Sequence, residues 1–475
     1  MQKVNHLTEG PIFKSLLALS LPIIGANILH SAYQLTDAFW VGRLGASSIA
    51  AISISFPVLF LCSALGGGFA MAGTSLVAQY MGKKERKAVD YIAAQTMMMV
   101  FIISAVISII GYVLTPFLIS FFGASPDVFR GAVSYLRISF IGMVFVFTFM
   151  VFQSLMRGTG DVKTPMYIVL GTVLLNFILD PLFIFGYGHF KGMGISGAAL
   201  ATILTQGISA FFGVFLLLKG RHYVRLDLKD IKPDFPTIKK MFNLGFPSSM
   251  EQSTVALSMT VMIFLVTSFG TSILAGYGIV GRISSFVIIP TIGLSMATST
   301  LVGQNMGAGK IKRASRIVRM STIVSFSVLT AMGLLLFFCS RGLASIFAPG
   351  ETETIIVASQ FIRITALTFG FIGIYHIING AFIGSGNTMT SMIMAVISLW
   401  ILRFPIAFFL SRYTPLAERG IWISFPAGNI ISALVAVAWY STGAWKKKKI
   451  TEEIKLVSRT VNETIIEEGI PARDY

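Results

Sequence analysis

Residues 16–41 read LLALSLPIIGANILHSAYQLTDAFWV, an almost uninterrupted apolar stretch that carries a carboxylate, Asp37, near its end. About 20 apolar residues in a helix cross the ~30 Å hydrocarbon core of a bilayer. The stretch is therefore long enough to be a membrane-spanning helix. A carboxylate in such a helix is costly and is expected to face the bundle interior or water, so Asp37 is the first candidate for function.

The rest of the chain repeats this apolar pattern. Of its 475 residues, 55% are hydrophobic and only 12% are charged, and the mean hydropathy is +0.79. Charged residues make up ~25% of an ordinary soluble protein. We predict an all-α polytopic membrane protein whose transmembrane helices are twelve in number and lie at 16–41, 48–72, 91–117, 133–156, 165–187, 195–218, 241–268, 275–302, 319–340, 358–383, 391–411 and 420–443.

The basic residues predict the orientation of these helices. Most of the 37 Lys and Arg residues fall on one set of loops and tails, including segments 83–87, 219–240, 310–319 and the C-terminal tail. Cytoplasmic loops carry such an excess, so both termini are expected in the cytoplasm. Contact with the bilayer and its anionic lipids accounts for the net charge of +17, and no nucleic-acid partner is expected.

Two halves of the chain resemble one another at an offset near 225 residues. LVAQYMG at 76–82 matches LVGQNMG at 301–307, and the segment around Pro22 matches the segment around Pro247. We predict an N-terminal six-helix bundle at 1–218, a cytoplasmic linker at 219–240, a C-terminal six-helix bundle at 241–445 and a polar cytoplasmic tail at 446–475. Because each half has an even number of helices, a pseudo-two-fold axis along the membrane normal should relate the bundles.

Polar residues of the N-terminal half fall at one depth of the membrane. Counted along their helices at ~1.5 Å per residue, Asp37, Asp180 and Thr202 all lie in the outer half of the bilayer. Asn176 lies one turn from Asp180 on the same helix face. In one reading this cluster binds a coupling cation, either Na⁺ through oxygen ligands or a proton shared by two carboxyl groups. In the other, Asp37 is a structural hydrogen-bond acceptor.

The C-terminal half carries two further charges, Glu251 and Arg403, near the middle of their helices. They either pair as a buried salt bridge, or Glu251 forms a second coupling or substrate-binding site. A central substrate cavity is expected to be lined by Tyr33, Gln34, Gln153 and Asn379.

In their order along the chain, several motifs resemble the multidrug and toxic compound extrusion family. They are YQLTDAFWVGRLG from residue 33, LVAQYMG with its echo LVGQNMG, RGTGDVKTP from 157, NFILDPLFIFG from 176 and GISGAALAT from 194. The acidic residues of the first and fifth helices look like those of the prokaryotic DNA-damage-inducible branch.

The resemblance implies a secondary active antiporter in the prokaryotic cytoplasmic membrane, functioning as a monomer. It would export small organic compounds, often cationic, in exchange for H⁺ or Na⁺, without a cofactor. It also implies that Asp37, Asn176, Asp180 and Thr202 form the cation site, where Na⁺ would bind. The C-terminal half keeps only Glu251 as an acid within its spans, and Asn379 and Asn387 stand without one in the region of the tenth helix, which argues against a sodium site in that half.

Other classes of membrane protein fit the sequence less well. A lipid-linked oligosaccharide flippase should line its cavity with several basic residues, whereas Arg403 is the single mid-span cation among three acids. No HExxH or GxSxG motif is present, so an enzyme is not expected. A non-transporting membrane scaffold gives no reason for acids gathered at one depth.

Overall fold

The structure is a computed structural model that describes residues 7–188, 190–220, 223–447 and 450–451, and it is almost entirely α-helical. A small antiparallel hairpin, β1 (Gly186–Tyr187) with β2 (Phe190–Lys191), follows the fifth helix. The helices are α1 Ile12–Gly42, α2 Ala46–Lys83, α3 Arg86–Phe121, α4 Pro126–Thr159, α5 Lys163–Phe185, α6 Ile195–Lys219, α7 Phe235–Thr267, α8 Thr271–Gly307, α9 Ile311–Phe347, α10 Thr352–Ala366, α11 Phe369–Ser385, α12 Thr388–Val396, α13 Phe404–Tyr413 and α14 Glu418–Ser441.

The prediction of twelve membrane spans is confirmed. Eleven helical stretches of the described chain are long and apolar enough to cross a membrane, and α10 with α11 forms a twelfth span bent by 55°. Most helices are longer than predicted: the apolar run at 48–72, for example, lies within α2, Ala46–Lys83. The helix continues past the apolar run because residues such as Ala, Gln and Lys favour helix as well as leucine does.

Two spans depart from a continuous α-helix, which the apolar pattern did not indicate. The tenth span breaks at Leu367 and Thr368, between α10 and α11. The eleventh contains a π-helical stretch, Ile397–Arg403, between α12 and α13. Pro405 follows this stretch and has no N–H to donate to the carbonyl of Ile401, which favours a wider turn there.

The spans form two six-helix lobes, α1–α6 and α7–α14, and the contact between them follows the repeat. Helix α1 packs on α8, and α2 packs on α7. Small residues permit the close approach of α2 to α7: Gly68 lies against the backbone of Ser249, whose Oγ donates to the Leu65 carbonyl at 2.7 Å. Such small-residue contacts are typical of helices that associate in membranes.

The two copies of the repeated motif meet at the end of the bundle where α1 begins and α14 ends, which we call the terminal end. Gln79 Nε2 donates to the Gly384 carbonyl at 3.1 Å, and Gln304 Nε2 donates to the Gly158 carbonyl at 2.9 Å. The two bonds are related by the repeat and each crosses between the lobes. Together they hold the lobes closed at this end.

Two glycines make this approach possible. A methyl group added at Gly82 would lie 1.9 Å from the Gln304 carbonyl oxygen, and one added at Gly307 would lie 1.9 Å from the Gln79 carbonyl oxygen. Helix α2 therefore crosses α8 at backbone contact. The Leu7 carbonyl accepts a bond from Asn305 at 3.2 Å at the same end.

The segment between the lobes is partly helical. Helix α7 begins at Phe235, inside the predicted linker 219–240. Gln95 of α3 donates to the carbonyls of Asp230 and Lys232, both at 2.7 Å, and so anchors the segment to the N-terminal lobe. Most of the predicted tail at 446–475 lies outside the described residues.

Candidate functional site

Helices α1, α5 and α6 bring the four predicted cation-site residues together, near the end of the bundle opposite the terminal end. Asn176 Nδ2 donates to Asp180 Oδ1 at 3.0 Å, and Thr202 Oγ1 donates to Asp37 Oδ2 at 3.3 Å. Helix α1 packs on α5, which places Asp37 beside Asp180 and Asn176. We call Asp37, Asn176, Asp180 and Thr202 the N-lobe acid cluster.

The N-lobe acid cluster has more acceptors than donors. Asp37 Oδ1, Asn176 Oδ1 and Asp180 Oδ2 are shielded from solvent and have no hydrogen-bond partner. Leaving buried polar atoms unpaired costs about 1–3 kcal/mol each. Oxygen atoms from carboxylate and amide groups suit a hard cation, and a proton shared by the two acids would satisfy two of the three. The donor set therefore fits a coupling Na⁺ or H⁺.

Backbone chemistry adds another acceptor beside the cluster. Pro181 lies inside α5, and because proline has no N–H, the carbonyl of Phe177 lacks its helical donor. This carbonyl belongs to the residue that follows Asn176.

A buried pair of hydroxyl groups lies one turn of α1 before Asp37, beside the N-lobe acid cluster. The Tyr33 hydroxyl lies 2.6 Å from Thr205 Oγ1, and Tyr33 is only 5% exposed. Sequence reasoning missed Thr205; its position three residues after Thr202, on the same face of α6, was the available signal. The pair fixes α1 against α6 one turn from Asp37.

Aromatic side chains cover the other side of the cluster. The Trp40 ring packs on Phe177 at 5.9 Å and on Phe185 at 6.2 Å between centroids. The guanidinium of Arg43 lies over the Trp40 ring at 5.0 Å. Trp40 lies three residues after Asp37, between that acid and the end of α1 at Gly42.

A second acidic site lies between α7, α11 and α12. Asn379 Nδ2 donates to Glu251 Oε1 at 2.5 Å, Ser391 Oγ lies 2.7 Å from Glu251 Oε2, and Ser391 also contacts Asn379 Oδ1. Glu251 is 5% exposed. We call these three residues the C-lobe acid cluster. An acid does therefore stand beside Asn379, supplied by α7 rather than by the tenth span.

The salt bridge considered between Glu251 and Arg403 does not form. Arg403 Nη2 instead donates to Asn429 Oδ1 at 2.9 Å, and its guanidinium lies 4.9 Å from the Phe425 ring centroid. Ser391, which contacts Glu251, precedes Arg403 by three turns of the same span, on the order of 15 Å. The two charges lie at different depths for this reason.

The four residues predicted for a substrate cavity occupy different surroundings. Tyr33 lies under the N-lobe acid cluster, and Asn379 belongs to the C-lobe acid cluster. Gln34 is exposed on α1, whereas Gln153 is half-buried on α4. No hydrogen bond described in the structure joins Gln34 or Gln153 to either cluster.

Two six-helix lobes that repeat in parallel and carry acids inside their helices have the architecture of a secondary transporter built from parallel repeats. The chain belongs to the MATE family: the MatE family model matches it twice, at residues 22–182 and 247–409. The two matches begin 225 residues apart, which is the offset of the internal repeat.

Curated relatives match along almost the whole chain. A probable multidrug resistance protein of Bacillus subtilis, YoeA, is 29% identical over 94% of this chain and 97% of the relative. A probable multidrug resistance protein of Thermotoga maritima, NorM, is 28% identical over 92% and 94%. An FAD transporter of Shewanella oneidensis is 25% identical over 96% and 98%.

Solved structures show the same architecture. The crystal structure of a MATE protein in the bent conformation has a TM-score of 0.88 at 25% identity, covering 94% of this chain and 99% of that one. The outward-facing conformation of a MATE family multidrug transporter has a TM-score of 0.87 at 25% identity, with the same coverage.

Proposed function

We propose that this protein is a multidrug efflux antiporter of the cytoplasmic membrane, which exports small organic compounds in exchange for H⁺ or Na⁺ bound at the N-lobe acid cluster. The observation that carries the proposal is the set of three buried oxygen atoms without donors, on Asp37, Asn176 and Asp180. A bound cation, or a proton shared by the two acids, would supply the partners that the protein itself does not give these oxygen atoms.

The membership of the family supports export of organic compounds, and the relatives named for multidrug resistance support a broad substrate range. The relative named for FAD, a compound with a phosphate anion, supports a range that extends beyond cations. The placement of basic residues supports cytoplasmic termini, so that the terminal end faces the cytoplasm and the N-lobe acid cluster is reached from outside.

Ion binding changes the charge and the packing of α1 together. With both acids ionised, Asp37 and Asp180 repel one another across the α1–α5 contact, and a cation or proton removes that repulsion. Helix α1 also packs on α8 of the other lobe. A shift of α1 on ion binding is therefore transmitted to the contact between the lobes, and the segments 1–218 and 241–445 act as the two moving units.

The ion gradient supplies enough free energy for export. One charge that moves down 100 mV releases about 2.3 kcal/mol. Since 1.4 kcal/mol corresponds to a factor of ten, one ion per transport cycle sustains roughly a 50-fold gradient of a neutral substrate.

Liposomes that contain the purified protein test the proposal. A pH gradient and a Na⁺ gradient are imposed separately, and the movement of a fluorescent organic cation is followed. We expect one gradient to drive transport by the wild type, and Asp37→Asn and Asp180→Asn to abolish it without loss of folded protein. Asp127→Asn, which removes an exposed acid at the start of α4, is the matched control. Transport by both single variants would refute the assignment of the site.

A further inference from the structure

Arg403 is a mid-membrane cation that lacks an acidic partner. Among the described residues its guanidinium contacts Asn429 Oδ1 and the Phe425 ring, and the ionisable groups around it include the phenols of Tyr277 and Tyr375 and the imidazole of His376. Arginine has five N–H donors, and the Nε donor is shielded from solvent without a partner. A charge left uncompensated inside a membrane is costly and marks a functional site by default.

The helices around Arg403 are irregular at the same depth. Arg403 ends the π-helical stretch of the eleventh span. Asn429, its hydrogen-bond partner, donates from Nδ2 to Thr368 Oγ1 at 3.2 Å, and Thr368 lies at the break in the tenth span. Binding sites of secondary transporters are typically built where membrane helices are interrupted near the midplane, and π-helical turns are frequent at functional sites.

The amide of Asn429 is held by two hydrogen bonds and fixes the position of the Arg403 side chain. The Asn429 side chain is 4% exposed and uses its oxygen for Arg403 and its nitrogen for Thr368. The hydrogen bond to Asn429 uses one of the five N–H donors of the guanidinium. Gly428 is buried and packs beside Arg403: a methyl group added there would lie 3.5 Å from Nε, at ordinary contact distance.

An aromatic stack adjoins the guanidinium. The Phe361 and Trp422 rings stack at 4.1 Å, Tyr277 stacks on both of them, and Phe425 packs on Phe361 at 5.1 Å. Phe425 is the ring that lies under Arg403. Phe361 and Trp422 are 2% and 1% exposed and belong to the core, so the partly exposed rings beside Arg403 are those of Phe425 and Tyr277.

We propose that Arg403 and its surroundings form an anion-binding site in the C-terminal lobe, for organic compounds that carry a carboxylate beside an aromatic ring. The guanidinium fork matches the two oxygens of a carboxylate, and the aromatic surface matches the ring. The inference rests on the proposed transport function, since it names a substrate class for it. The proposed anion site lies in the other lobe from the N-lobe acid cluster, carries the opposite charge and binds a different kind of ligand.

Binding of three naphthalene probes to the purified full-length protein tests this proposal. 2-Naphthoate, 2-naphthamide and 2-naphthylmethylammonium share the ring and differ in charge, and their binding is measured by equilibrium dialysis without an ion gradient. We expect the wild type to bind naphthoate at least about tenfold more tightly than naphthamide, which equals about 1.4 kcal/mol. Arg403→Gln should remove this preference and leave naphthamide binding unchanged.

Two variants separate the role of the site from that of folding. Arg403→Lys keeps the charge but removes the planar fork of the guanidinium, and it should reduce naphthoate binding several-fold. Arg419→Gln removes an exposed arginine of the same lobe and should bind naphthoate as the wild type does. Equal binding of naphthoate by the wild type, Arg403→Gln and Arg403→Lys would overturn the proposal, as would a wild type that does not distinguish naphthoate from naphthamide.

A failure of the transport proposal would give different experimental results from a failure of the anion-site proposal. Asp37→Asn should retain the naphthoate preference even though it stops ion-coupled export. If Asp37→Asn still exports while Arg403→Gln loses naphthoate binding, the cation-site assignment fails and the anion site stands.

Discussion

Gly307→Ala should weaken the seal at the terminal end of the lobes. The added methyl group would lie 1.9 Å from the Gln79 carbonyl oxygen, whereas ordinary contact begins at 3.4 Å, so α2 and α8 must move apart by roughly 1.5 Å. Overpacking of this kind costs about 1–3 kcal/mol. If that cost falls only on the closed state, the ratio of closed to open molecules decreases by about 5- to 150-fold.

The control for this variant lies on the same helix. Gly281→Ala adds a methyl group that meets no atom within 4 Å. Both alanines gain the same helix propensity over glycine, so a difference between the two variants reports the contact with Gln79. The repeat makes a second prediction of the same size, because Gly82→Ala places its methyl group 1.9 Å from the Gln304 carbonyl oxygen.

Spin labels at the terminal end measure the equilibrium directly. Cysteines replace Lys87 and Arg316, both exposed, after Cys62 and Cys339 are changed to serine. Pulsed electron resonance then gives the distribution of distances between the lobes. We expect a longer distance to gain population in Gly307→Ala but not in Gly281→Ala. An identical distribution in the two variants would refute the inference that backbone contact between α2 and α8 holds the lobes closed.

Three further substitutions test single hydrogen bonds. Gln304→Leu leaves the Gly158 carbonyl without its donor and should increase the same open population, by less than Gly307→Ala, in the same distance measurement. Thr205→Val removes the partner of the Tyr33 hydroxyl and should lower the free energy of unfolding by about 1–3 kcal/mol, seen as a lower midpoint of thermal unfolding, while Thr205→Ser should not. Ser391→Ala leaves Glu251 Oε2 without a hydroxyl donor and should lower the midpoint comparably; an unchanged midpoint would show that the C-lobe acid cluster is hydrated rather than closed.

Most residues of the N-lobe acid cluster could be predicted from the sequence, because they share one depth in the membrane. Asp37, Asp180 and Thr202 are placed along the membrane normal by the number of residues between each of them and the end of its helix. That number is read from the sequence, and the apolar pattern gives the ends closely enough. Asn176 followed from helical periodicity relative to Asp180.

The partners of Glu251 and Arg403 were not predictable in the same way. Both residues lie well inside their helices, and the sequence left open a salt bridge between them. In the structure Glu251 accepts hydrogen bonds from Asn379 and Ser391, and Arg403 donates a hydrogen bond to Asn429. The break at Thr368 and the π-helical stretch at Ile397–Arg403 carry no signal in an apolar pattern, because both sides of each irregularity are equally apolar.

The sequence by itself determined the number of spans, the repeat and the common depth of the N-lobe acids, since hydrocarbon thickness and the 1.5 Å rise of a helix act on each segment separately. Only the tertiary structure decided which side chains meet. A contact such as Gln304 with Gly158 depends on how two helices are rotated and how closely they approach, and that is set by the packing of small residues across the whole interface.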